Sequence, residues 1–228
     1  MVQNRNSFIL ILLVILSISC KKQADPELPE EGKLYFPLDI GKYVIYNVAE
    51  INIDAPVSRF DTTRYQLKQI NQSVFIDNTG QPCIRVERYW RTADTLPWVI
   101  KDVWYHYRGE QNAQTVEENQ RYIRLVFPMT ETSVWNGNAY NQIGQWNYLY
   151  ENINQPLTLN NQSLSQTVLV RQRDYSNFIE KQDCFEIYAK EIGLVKKQYV
   201  DIEIINGDST QVNRGYMLFQ NLISYGVE

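Results

Sequence analysis

From residue 33 onward, apolar and polar residues alternate with a period of two, the spacing of β-strands that bury one face. The clearest run sets an apolar face against a polar face: Val200, Ile202 and Ile204 alternate with Tyr199, Asp201 and Glu203. A second run sets Ile123, Leu125 and Phe127 against Tyr122, Arg124 and Val126. Further strands are predicted over residues 43–53, 65–70, 98–108, 167–173 and 216–224. The pattern predicts a protein made mainly of β-strands.

Short turn signals separate the predicted strands and make their pairing antiparallel. Asn206-Gly207 follows the clearest strand, and Asn-Gly is the strongest short signal for a β-hairpin. No segment keeps a helical period beyond about two turns, and residues 142–151 and 186–191 are the best candidates for a short helix. We therefore predict an all-β or mainly β fold with at most one or two short helices. It is a single antiparallel sheet domain over residues 33–228, strongly curved or a partly open barrel.

The amino end has the layout of a secretory signal, which is a basic start, an apolar run and small residues before a cleavage site. One arginine supplies the charge, residues 8–16 are apolar without a break, and Ser17 and Ser19 precede Cys20. A helix that spans a bilayer needs about 20 apolar residues. This run is much shorter, so a short transmembrane anchor is the weaker alternative. We predict a signal peptide over residues 1–19.

The segment Leu16-Ser17-Ile18-Ser19-Cys20 resembles the lipobox of bacterial lipoproteins. In that family the cysteine thiol receives a diacylglycerol, the signal peptide is cut before it, and the new amine is acylated. Three acyl chains would hold a protein at a membrane, since each buried CH₂ contributes about 0.8 kcal/mol. Residues 20–32 carry prolines and dense charge, which favours an extended tether. The resemblance implies that Cys20 is lipidated and that a membrane is the partner of this tether.

Two segments of the body resemble uncharacterised Bacteroidota outer-membrane lipoproteins. Their frequent opening, F-P-L followed by a glycine and an aromatic residue, is matched by Phe36-Pro37-Leu38-Asp39-Ile40-Gly41-Lys42-Tyr43. Their Y-A-x-x-I-G-L-V segment is matched by Tyr188-Ala189-Lys190-Glu191-Ile192-Gly193-Leu194-Val195. The resemblance to bacterial lipoproteins at the lipobox also implies the outer membrane, because Lys21 stands where those kept on the inner membrane tend to have aspartate. The periplasmic face and the cell surface both stay open, and no activity is implied.

The net charge and the absence of catalytic motifs argue against several classes of function. The net charge is -4 and there is no basic tract, whereas proteins that bind nucleic acid need clustered Lys and Arg. His106 is the single histidine and cannot form a two-histidine metal site. The chain has no nucleophile elbow, P-loop or H-E-x-x-H motif. We therefore expect no nucleic-acid partner, no metal or other cofactor, and no enzymatic activity.

Cys83 and Cys184 are the two cysteines that remain once Cys20 is acylated. An exported protein can keep a disulfide, and a bridge needs Cα atoms within about 7 Å of each other. Sequence spacing does not decide that distance. A disulfide between Cys83 and Cys184 and two separate reduced thiols are therefore both open.

The segment 133–150, SVWNGNAYNQIGQWNYLY, mixes aromatic and amide side chains. Its candidate ligand-binding residues are Trp135, Tyr140, Trp146 and Tyr148. A sugar packs its C–H face on an aromatic ring and its hydroxyl groups on amides, and the glycines of the segment indicate an exposed loop. Tyr and Trp are also ordinary strand residues, so a purely structural use is the alternative.

These observations lead to one hypothesis about function and two alternatives. The first is an envelope lipoprotein that acts as a non-catalytic binding module for an unidentified protein or glycan. One alternative is a carbohydrate-binding surface lipoprotein, based on segment 133–150. The other is a lipid or lipoprotein carrier of the LolA/LolB type, in which a curved sheet encloses acyl chains. Strands 43–53 and 98–108, which have apolar residues on both faces, would suit such a carrier.

Overall fold

Twelve antiparallel strands form one sheet in the computed structural model, which describes residues 32–228. In chain order they are β1 (Lys42–Asp54), β2 (Arg59–Ile76), β3 (Pro82–Arg91), β4 (Val99–Arg108), β5 (Asn112–Glu117), β6 (Gln120–Val126), β7 (Val134–Asn136), β8 (Asn147–Leu159), β9 (Gln162–Ser176), β10 (Glu180–Ala189), β11 (Gly193–Ile205) and β12 (Asp208–Val227). A 3-10 turn, Ala55–Val57, follows β1. The predicted signal peptide, Cys20 and nearly all of the predicted tether lie outside the described residues.

The strand order is a meander that almost closes on itself. Sequence neighbours pair with each other except across the β6–β7 connection, and β1 also pairs with β12. The two outer strands of the sheet are β6 and β7, and they meet at a seam where Ile123 N donates to Gly137 O at 2.9 Å. The result is a nearly closed barrel. It confirms the predicted all-β fold with a strongly curved antiparallel sheet.

Side chains satisfy much of the backbone at this seam. Trp135 Nε1 donates to Ile123 O at 3.0 Å. The Tyr150 hydroxyl accepts from Val126 N at 2.7 Å and donates to Val126 O at 2.8 Å. Exposed strand edges otherwise invite pairing with another chain. The seam is therefore closed largely by side-chain hydrogen bonds.

The local predictions have mixed outcomes. The two helix candidates, 142–151 and 186–191, are wrong, because most of their residues lie in β8 and β10 or in adjoining turns. Both strands pair with neighbours on each side, so tertiary pairing outweighs a weak local preference. The clearest predicted strand is confirmed, since Val200, Ile202 and Ile204 are buried in β11. No helix among the described residues is long and apolar enough to cross a membrane.

The meander places its turns alternately at two ends of the barrel. The lower end holds the N-terminal segment 32–41, where Phe36 is buried. Arg108 Nη1 donates to the carbonyl oxygens of Lys33 and Phe36 at 2.9 and 2.8 Å, which fixes that segment to β4. The upper end carries the turns at residues 55–58, 92–98, 118–119, 137–146, 177–179 and 206–207. The N-terminal segment therefore covers the lower end of the barrel.

Candidate functional site

Four charged side chains meet inside the barrel and form what we call the charge cluster: Glu117, Arg124, Glu186 and Lys197. Arg124 Nη1 lies 3.2 Å from Glu186 Oε1, and Arg124 Nη2 contacts Glu117 Oε1. Lys197 Nζ lies 3.3 Å from Glu186 Oε1 and 3.9 Å from Glu117 Oε2. Because β5 and β6 are far from β10 and β11 in the sheet order, the cluster links two walls of the barrel.

The members of the charge cluster hold one another in the charged form. Burial alone would raise the pKa of Glu186, but Arg124 and Lys197 outweigh it and lower the pKa to about 2. The pKa of Glu117 is lowered against the same cost of burial by the same two cations. Burial opposes the charge of Arg124, yet Glu117 and Glu186 raise its pKa well above the usual value. Two cations and two anions therefore balance, with Arg124 and Glu186 buried and Glu117 and Lys197 half-buried.

The charge cluster lies between two cavities, since Glu117, Arg124 and Lys197 line both of them. The lower cavity, of about 80 Å³, reaches toward the N-terminal segment and is lined also by Phe36 and His106. The upper cavity, of about 320 Å³, reaches toward the upper-end turn 137–146. Its aromatic lining consists of Tyr122, Trp146, Tyr148, Tyr199 and Tyr216.

His106 lies in the lower cavity. Its ring centroid is 4.8 Å from that of Phe36. Burial lowers the pKa of His106 to about 4, which Glu117 only partly offsets, so the imidazole is neutral at physiological pH. Among residues 32–228 no group of three or more His, Cys, Asp or Glu side chains could hold a metal ion. The arrangement around His106 is that of a packed neutral ring.

Aromatic and amide groups dominate the upper cavity. The rings of Trp146 and Tyr199 are nearly parallel, with centroids 6.3 Å apart and planes at 13°, and Tyr216 lies 6.0 Å from Tyr199. Gln172 also lines the cavity and is 4% exposed. Its Nε2 has no hydrogen-bond partner in the described part of the chain. A buried amide without a partner is costly, so it is a group that a ligand could satisfy.

The four candidate residues of segment 133–150 do not form one exposed surface. Trp135 and Tyr148 are 8% and 2% exposed, and they pair across β7 and β8 with ring centroids 5.9 Å apart. Tyr140 is 58% exposed beside the seam, where it bridges to Arg121. Trp146 and Tyr148 line the upper cavity. The expectation of a single exposed loop is wrong for Trp135 and Tyr148, because strand pairing turns both rings inward, and ligand binding by Trp146 and Tyr148 stays a prediction.

The sequence offered a signal for the charge cluster. Glu186 alternates onto the same strand face as Cys184 and Tyr188, and a carboxylate between a cysteine and a tyrosine on one face is compatible with an interior charge; the structure buries all three. The sequence carries no such signal for Arg124, since its neighbours Ile123 and Leu125 are buried as well. Alternation fails in β6 because both faces of this strand are covered.

Cys83 and Cys184 are both buried and both free thiols. They belong to β3 and β10, which are separated by four other strands in the sheet order. Burial raises the pKa of both thiols, that of Cys184 to about 12. The candidate disulfide is not formed in this structure, and each thiol is a poor nucleophile at neutral pH.

Comparison with known proteins gives little beyond likeness of fold. No protein-family model matches the chain, and no curated protein matches it. One solved structure, a proposed exported protein with a YmcC-like fold from Bacteroides fragilis, is similar over 83% of this chain and 98% of its own, with 9% identity and a TM-score of 0.43. A proposed lipoprotein from Parabacteroides distasonis is similar over the same shares, with 9% identity and a TM-score of 0.41.

Proposed function

We propose that this chain is a lipid-anchored protein of the bacterial outer membrane whose barrel binds a small ligand in the upper cavity without changing it chemically. The lipobox-like end at Cys20 and the tether over 20–32 support the anchor. The upper cavity supports the binding role, and its unpartnered Gln172 amide is the single observation that carries the proposal. The function is therefore that of a non-catalytic envelope binding module.

The size and lining of the upper cavity suit a small ligand. Its volume of about 320 Å³ falls within the usual range of about 300–1,000 Å³ for small-molecule sites. Such sites combine aromatic surface with a few polar groups that orient the ligand. Here the aromatic rings supply the surface, while Gln172 and Asn138 supply the polar groups. Residue 32, the last residue of the predicted tether, lies at the lower end, so the upper cavity would point away from the membrane.

A carrier of acyl chains is less well supported. A lipid carrier needs a continuous apolar lumen, whereas the charge cluster crosses this barrel between the two cavities. Passing an acyl chain there would separate buried ion pairs, and breaking one buried pair costs about 3–5 kcal/mol. The apolar residues on both faces of β1 and β4 fit a barrel wall that is covered on both sides.

We expect Cys20 to carry the membrane anchor. Expressing cells fed with labelled palmitate should incorporate the label into the wild-type chain, which should sediment with the membranes. Cys20→Ala should lose the label and appear in the soluble fraction, because the acyl chains supply nearly all of the membrane affinity. Ser19→Ala is the matched control and should keep both properties. An unlabelled, soluble wild-type protein would contradict the anchor.

We expect small molecules that bind in the upper cavity to stabilise the barrel. The full chain in lipid nanodiscs would be screened by thermal unfolding against a library of envelope metabolites, since a ligand at 100 times its Kd adds about 2.7 kcal/mol to stability. The stabilisation should disappear in Trp146→Ala. Trp98→Ala removes a tryptophan outside both cavities and should leave it unchanged. Equal loss in both variants, or no hit at all, would argue against the site.

A further inference from the structure

The hydrogen-bonding groups of the upper cavity that have no protein partner narrow the chemical class of its ligand. Among residues 32–228, the hydroxyls of Tyr122, Tyr148 and Tyr216 make no hydrogen bond to another protein group. Gln172 Nε2, which is buried, also has no partner there. Burial raises the pKa of all three tyrosines, that of Tyr216 to about 12, so their hydroxyls stay protonated. A protonated hydroxyl both donates and accepts. The cavity therefore offers several uncharged donors and acceptors within an aromatic wall.

The charges around the upper cavity disfavour an ionic ligand. Arg124 and Lys197 on its floor are paired with Glu117, which also lines the cavity, and with Glu186, which lines only the lower cavity, so two carboxylates match the two cations. The ring of Tyr122 already carries a guanidinium, with Arg124 Cζ at 4.4 Å from its centroid. A cationic ligand would have to displace that contact or lie beside it.

One cation near the upper cavity, Arg173, is not paired with a carboxylate within the part of the chain that the structure describes. Its Cζ lies 5.3 Å from the Trp146 ring centroid, and its Nε donates to Gln182 at 2.8 Å. Arg173 forms no ion pair with a carboxylate among residues 32–228. It does not line the upper cavity itself. An acidic ligand is therefore the specific competitor that an experiment must include.

Resting on the proposed binding role, we infer that the upper cavity takes one or two rings of a neutral saccharide. A sugar ring has an apolar C–H face for the aromatic wall and hydroxyl groups for tyrosine hydroxyls and amides. A volume of about 320 Å³ admits a ring of this kind, while it is at the low end of small-molecule sites. The recognising groups would be Gln172, Tyr122, Tyr148 and Tyr216.

The test uses the full chain in lipid nanodiscs and isothermal titration calorimetry. The neutral probes are glucose, galactose, mannose, N-acetylglucosamine and their disaccharides. Glucuronate, glucosamine, tetramethylammonium and an anilinonaphthalene dye represent acidic, basic, cationic and apolar ligands. We expect at least one neutral sugar to bind, and each of two variants, Gln172→Met and Tyr216→Phe, to weaken its binding about tenfold. Tyr225→Phe, an exposed tyrosine outside the upper cavity, should leave its binding unchanged.

Gln172→Met also separates binding from folding. The variant removes a buried amide that has no partner, so its thermal stability without sugar should be equal to or above that of the wild type. Weaker sugar binding with unchanged stability supports the inference. Neutral sugar binding that neither variant weakens would overturn it. If only a charged or apolar probe binds and the same variants weaken it, the saccharide inference is overturned and the proposed binding role stands. If no compound binds, both the saccharide inference and the proposed binding role are overturned.

Discussion

Glu186→Gln should lower the free energy of unfolding by about 3–5 kcal/mol, the usual cost of leaving a buried charge without its partner. Glu186 is 1% exposed and contacts both Arg124 and Lys197. The variant would leave the buried Arg124 and the half-buried Lys197 to share Glu117. Urea unfolding at pH 7, followed by tryptophan fluorescence, measures the loss. A loss below about 1 kcal/mol would contradict a charge cluster of this strength.

A second substitution tests whether the loss comes from charge imbalance. Lys197→Met removes one of the two cations, so adding it to Glu186→Gln leaves the balanced pair Arg124–Glu117. The double variant should lose about 1–3 kcal/mol less stability than the two single losses added together, which is the coupling expected for residues in one network. Glu203→Gln, an exposed carboxylate on β11, is the control and should change stability by less than about 0.5 kcal/mol. Simple additivity of the two single losses would speak against electrostatic coupling.

Acidification from pH 6.5 to pH 4 should cost the wild-type barrel about 2–3 kcal/mol through His106 alone. The pKa of His106 is about 4 in the folded protein, against an ordinary 6.5. Burial lowers it most, the positive charges of Arg124 and Arg88 lower it further, and the attraction of Glu117 offsets only part of this. Between these two pKa values the unfolded chain binds more protons at His106 than the folded protein does. The contribution of His106 to stability is therefore fully present above pH 6.5 and is lost as the pH falls toward 4. The expected loss is smaller than the whole change in the pKa of His106 would give, because the half-buried ring borders a cavity.

The measurement is a series of urea unfolding curves from pH 7.5 to pH 4, on the wild type and on His106→Gln. The variant cannot titrate, so its stability should fall less steeply over that range. Glu186 titrates in a lower window, since its pKa moves from 4.5 to about 2, and its contribution would be lost only below about pH 4.5. Parallel curves for the two proteins would show that His106 does not carry the dependence.

Much of the fold could be predicted because a strand with one buried face shows an alternating pattern of apolar and polar residues in its own sequence. Alternation in β11 and the Asn206-Gly207 turn identified a strand and its hairpin correctly. The same rule failed where a strand is covered on both faces, as in β6, where Ile123, Arg124 and Leu125 are all buried. Alternation reports that a strand has two faces, and it does not report whether the second face meets water or another part of the chain.

The candidate site could be predicted only in part for the same reason. Trp146 and Tyr148 were identified from a segment rich in aromatic and amide residues, and both line the upper cavity. Tyr122, Tyr199 and Tyr216 were not identified, because they come from β6, β11 and β12. Nothing in their own neighbourhoods distinguishes them from ordinary strand tyrosines.

By itself, the sequence determined the strand content, the antiparallel connections and the lipobox-like end at Cys20, because each of these depends on residues close together along the chain. Only the tertiary structure decided which strand faces point into the barrel and which side chains meet there. Pairing of β1 with β12 joins the two halves of the sheet, and the curvature of the sheet brings β5 and β6 opposite β10 and β11, so Arg124 meets Glu186. Contacts between distant segments depend on the register and curvature of the whole sheet, and no local pattern encodes them.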